Sequence, residues 1–228
     1  MRAILLAAGM GTRLRPLTLE TPKSLIEVNG KPLLERQVEF LKEKGIKEII
    51  VVTGYLNKKF EYLKEKYGVK LVFNDKYDIY NNIYSMYLVR KYLGDSYVID
   101  ADVYINRNFI VTDINRSTYF SAYKRNVKNE WKLCFDENKK VNDIEIIDGD
   151  GFILCGVSYW SKNDGILIKN KIEEALETDD FTNLYWDDIV KNNLKDLDVR
   201  IEEINDDDIY EIDNIEELNM VKDIIEDN

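Results

Sequence analysis

The sequence predicts an α/β domain built on a mostly parallel, doubly wound central sheet, with an added mixed or antiparallel β portion in its C-terminal half. Three observations carry this. Apolar runs at residues 3–6, 46–53, 69–73 and 97–99 alternate with helix-patterned stretches, the order expected of β-α-β units with right-handed crossovers and a Rossmann-like sheet. From residue 117 the pattern changes to strand after strand, separated by turn residues. The length, 228 residues, is long for one average domain and short for two. The chain therefore reads as a single domain over 1–228, with a first half at 1–115 and a second at 116–228.

Taken in order, the first strand ends near Ala8, and residues 18–29 form a loop region around Pro22. Lys31-Pro32 opens a helix, with proline in its first turn. Leu34, Val38 and Leu41 keep helical spacing, and Gly45 closes the element. After the second strand, Asn57 caps a charged helix that stops at Gly68. The third strand follows, and residues 74–82 are a polar, aromatic candidate binding loop. Ile83, Met86 and Tyr87 begin a helix that ends by Gly94. Tyr97-Val98-Ile99 then runs into Asp100-Ala101-Asp102. In the second half, residues 117–123, 131–135, 141–147 and 152–160 read as strands, with Asp148-Gly149-Asp150-Gly151 as a turn between two of them. Ser161 with Asp164 starts a helix to about residue 177. Residues 184–195 form another helix, 198–204 a strand, 205–208 an acidic turn and 210–213 a short strand. A last helix runs from about Asn214.

Composition removes whole classes of function. A formal net charge of −11 argues against a general nucleic-acid or anionic-membrane surface. No apolar run approaches the ~18 residues of a membrane span, and the N-terminus opens as a strand rather than as a charged leader. The two cysteines, Cys134 and Cys155, form no CxxC, so free thiols in a reducing cytoplasm are expected. There is no histidine, which excludes Ser–His and Cys–His catalytic pairs and histidine-based metal sites. Any metal must rest on carboxylates, which suits Mg²⁺. Oligomeric state has no signal in the sequence.

Against this acidic background the first two dozen residues stand out. Leu6-Ala7-Ala8-Gly9-Met10-Gly11-Thr12-Arg13-Leu14-Arg15 follows a buried strand, and Thr21-Pro22-Lys23 comes soon after. A strand, a glycine turn and fixed cations suit polyphosphate. The position of a dinucleotide fingerprint's third glycine is Leu14, and no P-loop string occurs. In open α/β sheets ligands sit at the carboxyl ends of the strands, where both the glycine loop and Asp102 fall. A carboxylate aimed at a triphosphate needs a cation between them, and Asp213, just before the last helix, is the second carboxylate chosen for it. Read alone, Asp102 and Asp213 serve equally well as turn or cap residues.

The string L-A-A-G-x-G-T-R-L followed by T-P-K resembles the signature of nucleotidyltransferases that join a nucleoside triphosphate to a phosphorylated acceptor. The resemblance implies a sheet of the nucleotidyltransferase type, with residues 1–115 binding nucleotide and 116–228 binding acceptor. It makes Arg13 the catalytic arginine, Lys23 the phosphate-binding lysine, and Asp102 and Asp213 the ligands of a Mg²⁺ cofactor. The segment Asp75 to Tyr87, with Asn81-Asn82-Ile83-Tyr84-Ser85 inside it, resembles the pyrimidine-recognition segment of bacterial CTP:phosphocholine cytidylyltransferases, and Val98-Ile99-Asp100-Ala101-Asp102, Ser117-Thr118-Tyr119-Phe120-Ser121, Asn129-Glu130-Trp131, Leu184-Tyr185-Trp186-Asp187 and Ile209-Tyr210-Glu211-Ile212-Asp213 resemble the same family. This implies CTP and phosphocholine as partners. Leu6, Ala7, Ala8, Gly9, Gly11 and Thr12 would line the nucleotide with Arg13 and Lys23, and Asn82 and Ser85 would read the base. Trp131, Tyr185, Trp186, Asp187 and Glu211 would form the acceptor pocket, where aromatic faces and carboxylates suit a quaternary ammonium. Lys124 or Arg125 could hold the acceptor phosphate, or Arg13, Lys23 and the metal could serve it too. Other readings are a transferase for phosphoethanolamine, an aminophosphonate or a sugar 1-phosphate, and a nucleotide-binding module without catalysis.

Overall fold

The computed structural model describes residues 1–178 and 181–226. In chain order the elements are β1 (Arg2–Ala7), β2 (Glu27–Val28), β3 (Lys31–Pro32), α1 (Leu33–Glu43), β4 (Glu48–Thr53), α2 (Tyr62–Tyr67), β5 (Lys70–Phe73), α3 (Asn82–Val89), β6 (Ser96–Asp100), β7 (Val103–Ile105), β8 (Ser117–Phe135), β9 (Val141–Trp160), α4 (Lys162–Leu176), α5 (Trp186–Asn192), β10 (Val199–Ile204), β11 (Ile209–Glu211) and α6 (Ile215–Glu226). Seven strands form one sheet in the order β10-β8-β9-β6-β1-β4-β5. Only β9 runs against the rest, since β6 and β8 both pair with it antiparallel while the other neighbours are parallel. The predicted mostly parallel sheet with an antiparallel addition is the one observed.

β1 is apolar at successive positions because both its faces are covered. Ile4, Leu6 and Ala8 pack with Ile83, Met86 and Val89 on one side, while Ala3, Leu5 and Ala7 meet Leu34, Val38 and Leu41 on the other. β1 is flanked in parallel by β4 and β6, so its carboxyl end, where the glycines begin, opens at the middle of the sheet.

Four local expectations change. Lys31-Pro32 does not open α1; it pairs with Glu27–Val28 across Asn29-Gly30, whose φ angles of 51° and 70° make the paired left-handed turn of a tight hairpin. Asn57 makes no side-chain cap; residues 57–60 form a 3₁₀ turn ahead of α2. The four β segments of the second half are two continuous strands, β8 and β9, paired with several bulges. Asp148-Gly149-Asp150-Gly151 lies inside β9, where the Asp148 and Asp150 carboxylates accept the N–H groups of Asn129 and Asn126, both left-handed residues of the bulged partner strand. The turn-forming composition serves bulges instead. The Ser161 cap is as expected, its hydroxyl accepting from the Asp164 N–H at 3.2 Å.

Candidate active site

A cleft of about 440 Å³ opens over the carboxyl ends of β1 and β6. Leu6, Ala8, Gly9 and Arg13 line it from the first loop, Asn82 and Ser85 from α3, and Asp100 and Asp102 from the end of β6. Glu130, Trp131, Leu154 and Gly156 reach it from the long hairpin, Tyr185 and Asp187 from the start of α5, and Glu211 and Asp213 from the β11 end. Residues from both halves of the sequence thus share one cavity.

The two distant aspartates meet through a local pairing. β11 runs antiparallel to β7 with Glu211 opposite Val103, and the Ile212 N–H donates to the Asp102 carbonyl at 3.3 Å. Ile212 is wholly buried among Leu14, Tyr104 and Leu218, so alternation turns its neighbours Glu211 and Asp213 toward the cleft. Glu217 in α6 accepts the Asp213 N–H at 2.6 Å and fixes the backbone there. Carboxylate oxygens of Asp102, Glu211 and Asp213 all lie within 4.8 Å of one another. Lys23 sits between two of them, its Nζ 2.8 Å from Asp102 Oδ2 and 2.6 Å from Asp213 Oδ1. An Arg13 guanidinium nitrogen lies 2.7 Å from the other Asp213 oxygen. This donor set, all hard oxygen and already holding a cation, fits a divalent ion such as Mg²⁺. Glu211 is the third member, a position the sequence reading gave only to the acceptor.

The cleft is strongly acidic. Among the described residues Asp100, Asp102, Glu130, Asp187, Glu211 and Asp213 line it against one lining cation, Arg13; Lys23, expected to bind the nucleotide, does not line the cleft itself and touches it through Asp102 and Asp213. Glu211 lies deep in the cleft yet is reached by water. Desolvation, then repulsion from Asp102 and Asp213, raises its pKa to about 8. Burial, reinforced by Asp102 and Asp187, raises Asp100 well above the usual carboxylate range. Such a cleft admits a polyphosphate only with additional positive charge, and it favours a cationic acceptor group.

At the acceptor end Trp131 and Tyr185 meet edge to face, ring centres 6.1 Å apart. Asp187 lines the same cleft, 6% exposed, taking a hydrogen bond from the Tyr119 hydroxyl at 2.8 Å. Burial raises its pKa to about 7. Below about pH 4 the carboxyl is protonated folded or unfolded. Between about pH 4 and 7 the unfolded chain releases the proton and the folded chain keeps it, so this group's contribution to stability falls as pH rises through that window. Asp187→Asn is therefore expected to leave stability unchanged near pH 4 and to raise it near pH 8 by up to about 4 kcal/mol, read by urea unfolding at both pH values. Equal differences from the native chain at both would contradict this.

At the base end Ser85 takes a hydrogen bond from the Asn74 amide at 2.9 Å and keeps its own hydroxyl proton to donate. Asn82 accepts the Trp186 N–H at 2.9 Å, leaving its NH₂ group as a donor into the cleft. Two donors there match the acceptor atoms O2 and N3 of a cytosine.

Several expected site residues do not face the cleft. Trp186 is 2% exposed, its ring edge-on to Trp160 at 5.5 Å. With Ile189 and Val190 it makes the i, i+3, i+4 stripe that buries α5, so it belongs to the core and not to the acceptor pocket. Ala7 points to the opposite side of the sheet from Leu6 and Ala8. Gly11 and Thr12 shape the loop without lining the cavity: Gly11 has φ 58°, and a Cβ on it would stand 2.8 Å from the Lys23 Cβ. Lys124 is held by Asp206 and the Ile209 carbonyl, and neither it nor Arg125 lines the cleft. Of the cleft residues given no individual role by the sequence, Glu130 and Asp100 lay inside quoted motifs, and Asn74, Tyr77, Tyr80 and Asn81 lay in the expected binding loop; Leu154 and Gly156 carried no chemical signal.

A doubly wound sheet that gathers a glycine turn, a lysine and three carboxylates at its strand ends defines a nucleotide-handling α/β enzyme. The nucleotidyl transferase family model matches residues 2–132, and the chain belongs to that family. It is 52% identical to the choline-phosphate cytidylyltransferase of Streptococcus pneumoniae over 99% of this chain and 98% of the relative. It is 36% identical to the 2-aminoethylphosphonate cytidylyltransferase of Lancefieldella rimae over 95% of this chain and 89% of the relative. The solved structure of CTP:phosphocholine cytidylyltransferase from Streptococcus pneumoniae superposes with a TM-score of 0.96 at 53% identity, with 98% of each chain covered. Among the described residues no helix is long and apolar enough to cross a membrane.

Proposed function

We propose that this chain transfers the cytidylyl group of CTP to phosphocholine, releasing pyrophosphate and giving CDP-choline. The observation that carries the reading is the cleft itself, where donors for a cytosine edge, a carboxylate cluster holding Lys23, the Trp131–Tyr185 pair and Asp187 share one cavity. A phosphate oxygen of the acceptor attacks the α-phosphorus; a new P–O bond forms as the bond to the pyrophosphate oxygen breaks, and pyrophosphate leaves with that electron pair. No enzyme nucleophile is required. Arg13 and Lys23 hold the phosphates and offset the charge that builds on them. Asp102, Asp213 and Glu211 would hold the Mg²⁺, which when bound supplies charge neutralisation for the phosphates. The trimethylammonium group rests on the Trp131 and Tyr185 rings, and Asp187 adds opposite charge once it ionises, above about pH 7.

Pyrophosphate release with phosphocholine and each of the four common nucleoside triphosphates tests the reaction. Release with CTP, lost in Asp102→Ala, is expected; no release from the native protein with any triphosphate would favour the non-catalytic binding module. Trp131→Ala is expected to raise the KM for phosphocholine about tenfold, as for loss of one desolvated cation–π contact, with CTP affinity nearly unchanged. A loss of CTP affinity instead would move Trp131 to the nucleotide side.

The Lancefieldella relative favours a second reading, in which the acceptor is an aminophosphonate with a primary ammonium. The aromatic floor argues for the methylated group, because a primary ammonium would leave three N–H donors to satisfy against ring faces.

A further inference from the structure

We propose that Lys23 is a built-in stand-in for the divalent cation, so that the metal site is masked in the free protein and is opened by the nucleotide. The inference rests on the cation site and triphosphate site of the proposed function. The Lys23 ammonium lies between Asp102 and Asp213 at 2.8 and 2.6 Å, its side chain only 13% exposed. A Mg²⁺ ion shared by the same two oxygens needs contacts of about 2.0–2.1 Å, so ion and ammonium cannot both take the position between those carboxylates. Removing Nζ without a new partner would strand a nearly buried ammonium, which is costly. Arg13 does not release it, since it already takes the remaining Asp213 oxygen at 2.7 Å. Of the two phosphate groups in the proposed reaction able to accept the lysine, the triphosphate carries the greater charge, and it would enter past Gly9 and Arg13.

Two consequences follow. In the free protein the lysine relieves the repulsion between Asp102 and Asp213. The divalent ion and the triphosphate enter as a linked pair, because the phosphates draw Nζ away and uncover the carboxylates. By linkage each then strengthens binding of the other by the same factor. The aliphatic stem of Lys23 packs against Gly11, so the switch needs only the outer part of the side chain to move.

Mn²⁺ uptake by the protein, measured by equilibrium dialysis with the same CTP concentration on both sides so that Mn²⁺ held by CTP alone cancels, tests this without an activity assay. The native protein is expected to bind Mn²⁺ alone weakly and Mn²⁺ with CTP tightly. Lys23→Met, which keeps the stem and removes the charge, should bind Mn²⁺ alone at least tenfold tighter than the native protein, although it transfers poorly. Lys23→Arg should stay weak, and adding Asp213→Asn to Lys23→Met should abolish the gain. If Lys23→Met binds Mn²⁺ alone no better than the native protein while both take up Mn²⁺ with CTP, the masking idea is wrong and the metal site stands. If neither protein takes up Mn²⁺ even with CTP, the metal site and the masking fall together.

Discussion

Asp213→Asn is expected to lower kcat by at least about a hundredfold while leaving the protein folded. Loss of a group that merely orients a metal ligand costs about 10–100-fold, and Asp213 does more than that. It is a member of the carboxylate cluster and the shared partner of Lys23 and Arg13. Asparagine keeps the shape and removes the charge that holds Lys23 and Arg13 and that would hold the metal. The fold should survive because the segment is anchored by buried Ile212, by pairing of β11 with β7 and by the Glu217 hydrogen bond to the backbone N–H, none of which uses the Asp213 side chain. Steady-state kcat with both substrates saturating, beside a thermal melt, is the measurement. Activity within tenfold of the native enzyme would remove Asp213 from the site, and a large fall in melting temperature would make its role structural.

Arg13→Ala is expected to reduce kcat by about 10²–10³-fold, the size of effect seen when one preorganised donor to a developing charge is removed, with a smaller change in CTP affinity. The side chain is 69% exposed and held at its tip by Asp213. In water-accessible surroundings a ground-state ion pair of this kind contributes little. In the proposed reaction its value would lie in following the charge that accumulates on the phosphates as pyrophosphate departs, since only interactions that strengthen in the transition state raise kcat. Comparing kcat with the dissociation constant for CTP separates the two. An equal loss in both would make Arg13 an ordinary binding residue.

What the sequence disclosed, and what it did not, follows from how far each signal depends on neighbours in space. β1, β4 and β6 were legible because a strand covered on both faces must be apolar throughout, whatever packs on it. The Gly9 loop and Lys23 could be picked out as candidates because glycines and cations stand out from an acidic chain, whereas Asp102 had only its place after an apolar strand to mark it. The two long strands β8 and β9 were not, since Asp148-Gly149-Asp150-Gly151 has the composition of a turn, and only the facing Asn126 and Asn129 show that it serves bulges. Trp186 illustrates the same limit within the site. Its aromatic type and its place beside Tyr185 and Asp187 matched an acceptor pocket, yet one position along the first turn of α5 swings it into the core. The acceptor role of Glu211 is implied by the family resemblance, while its place in the cluster with Asp102 and Asp213 follows from the pairing of β11 with β7, which is invisible in sequence.

The central claim is that the cleft selects a trimethylated ammonium phosphate as the acceptor for CTP. The direct test is kcat/KM of the native protein with CTP and Mg²⁺, comparing phosphocholine with phosphoethanolamine, 2-aminoethylphosphonate and glucose 1-phosphate. With the aromatic floor at work, phosphocholine should exceed each of the others by at least about tenfold. If 2-aminoethylphosphonate or glucose 1-phosphate is used as well as phosphocholine, the assignment of the acceptor is wrong.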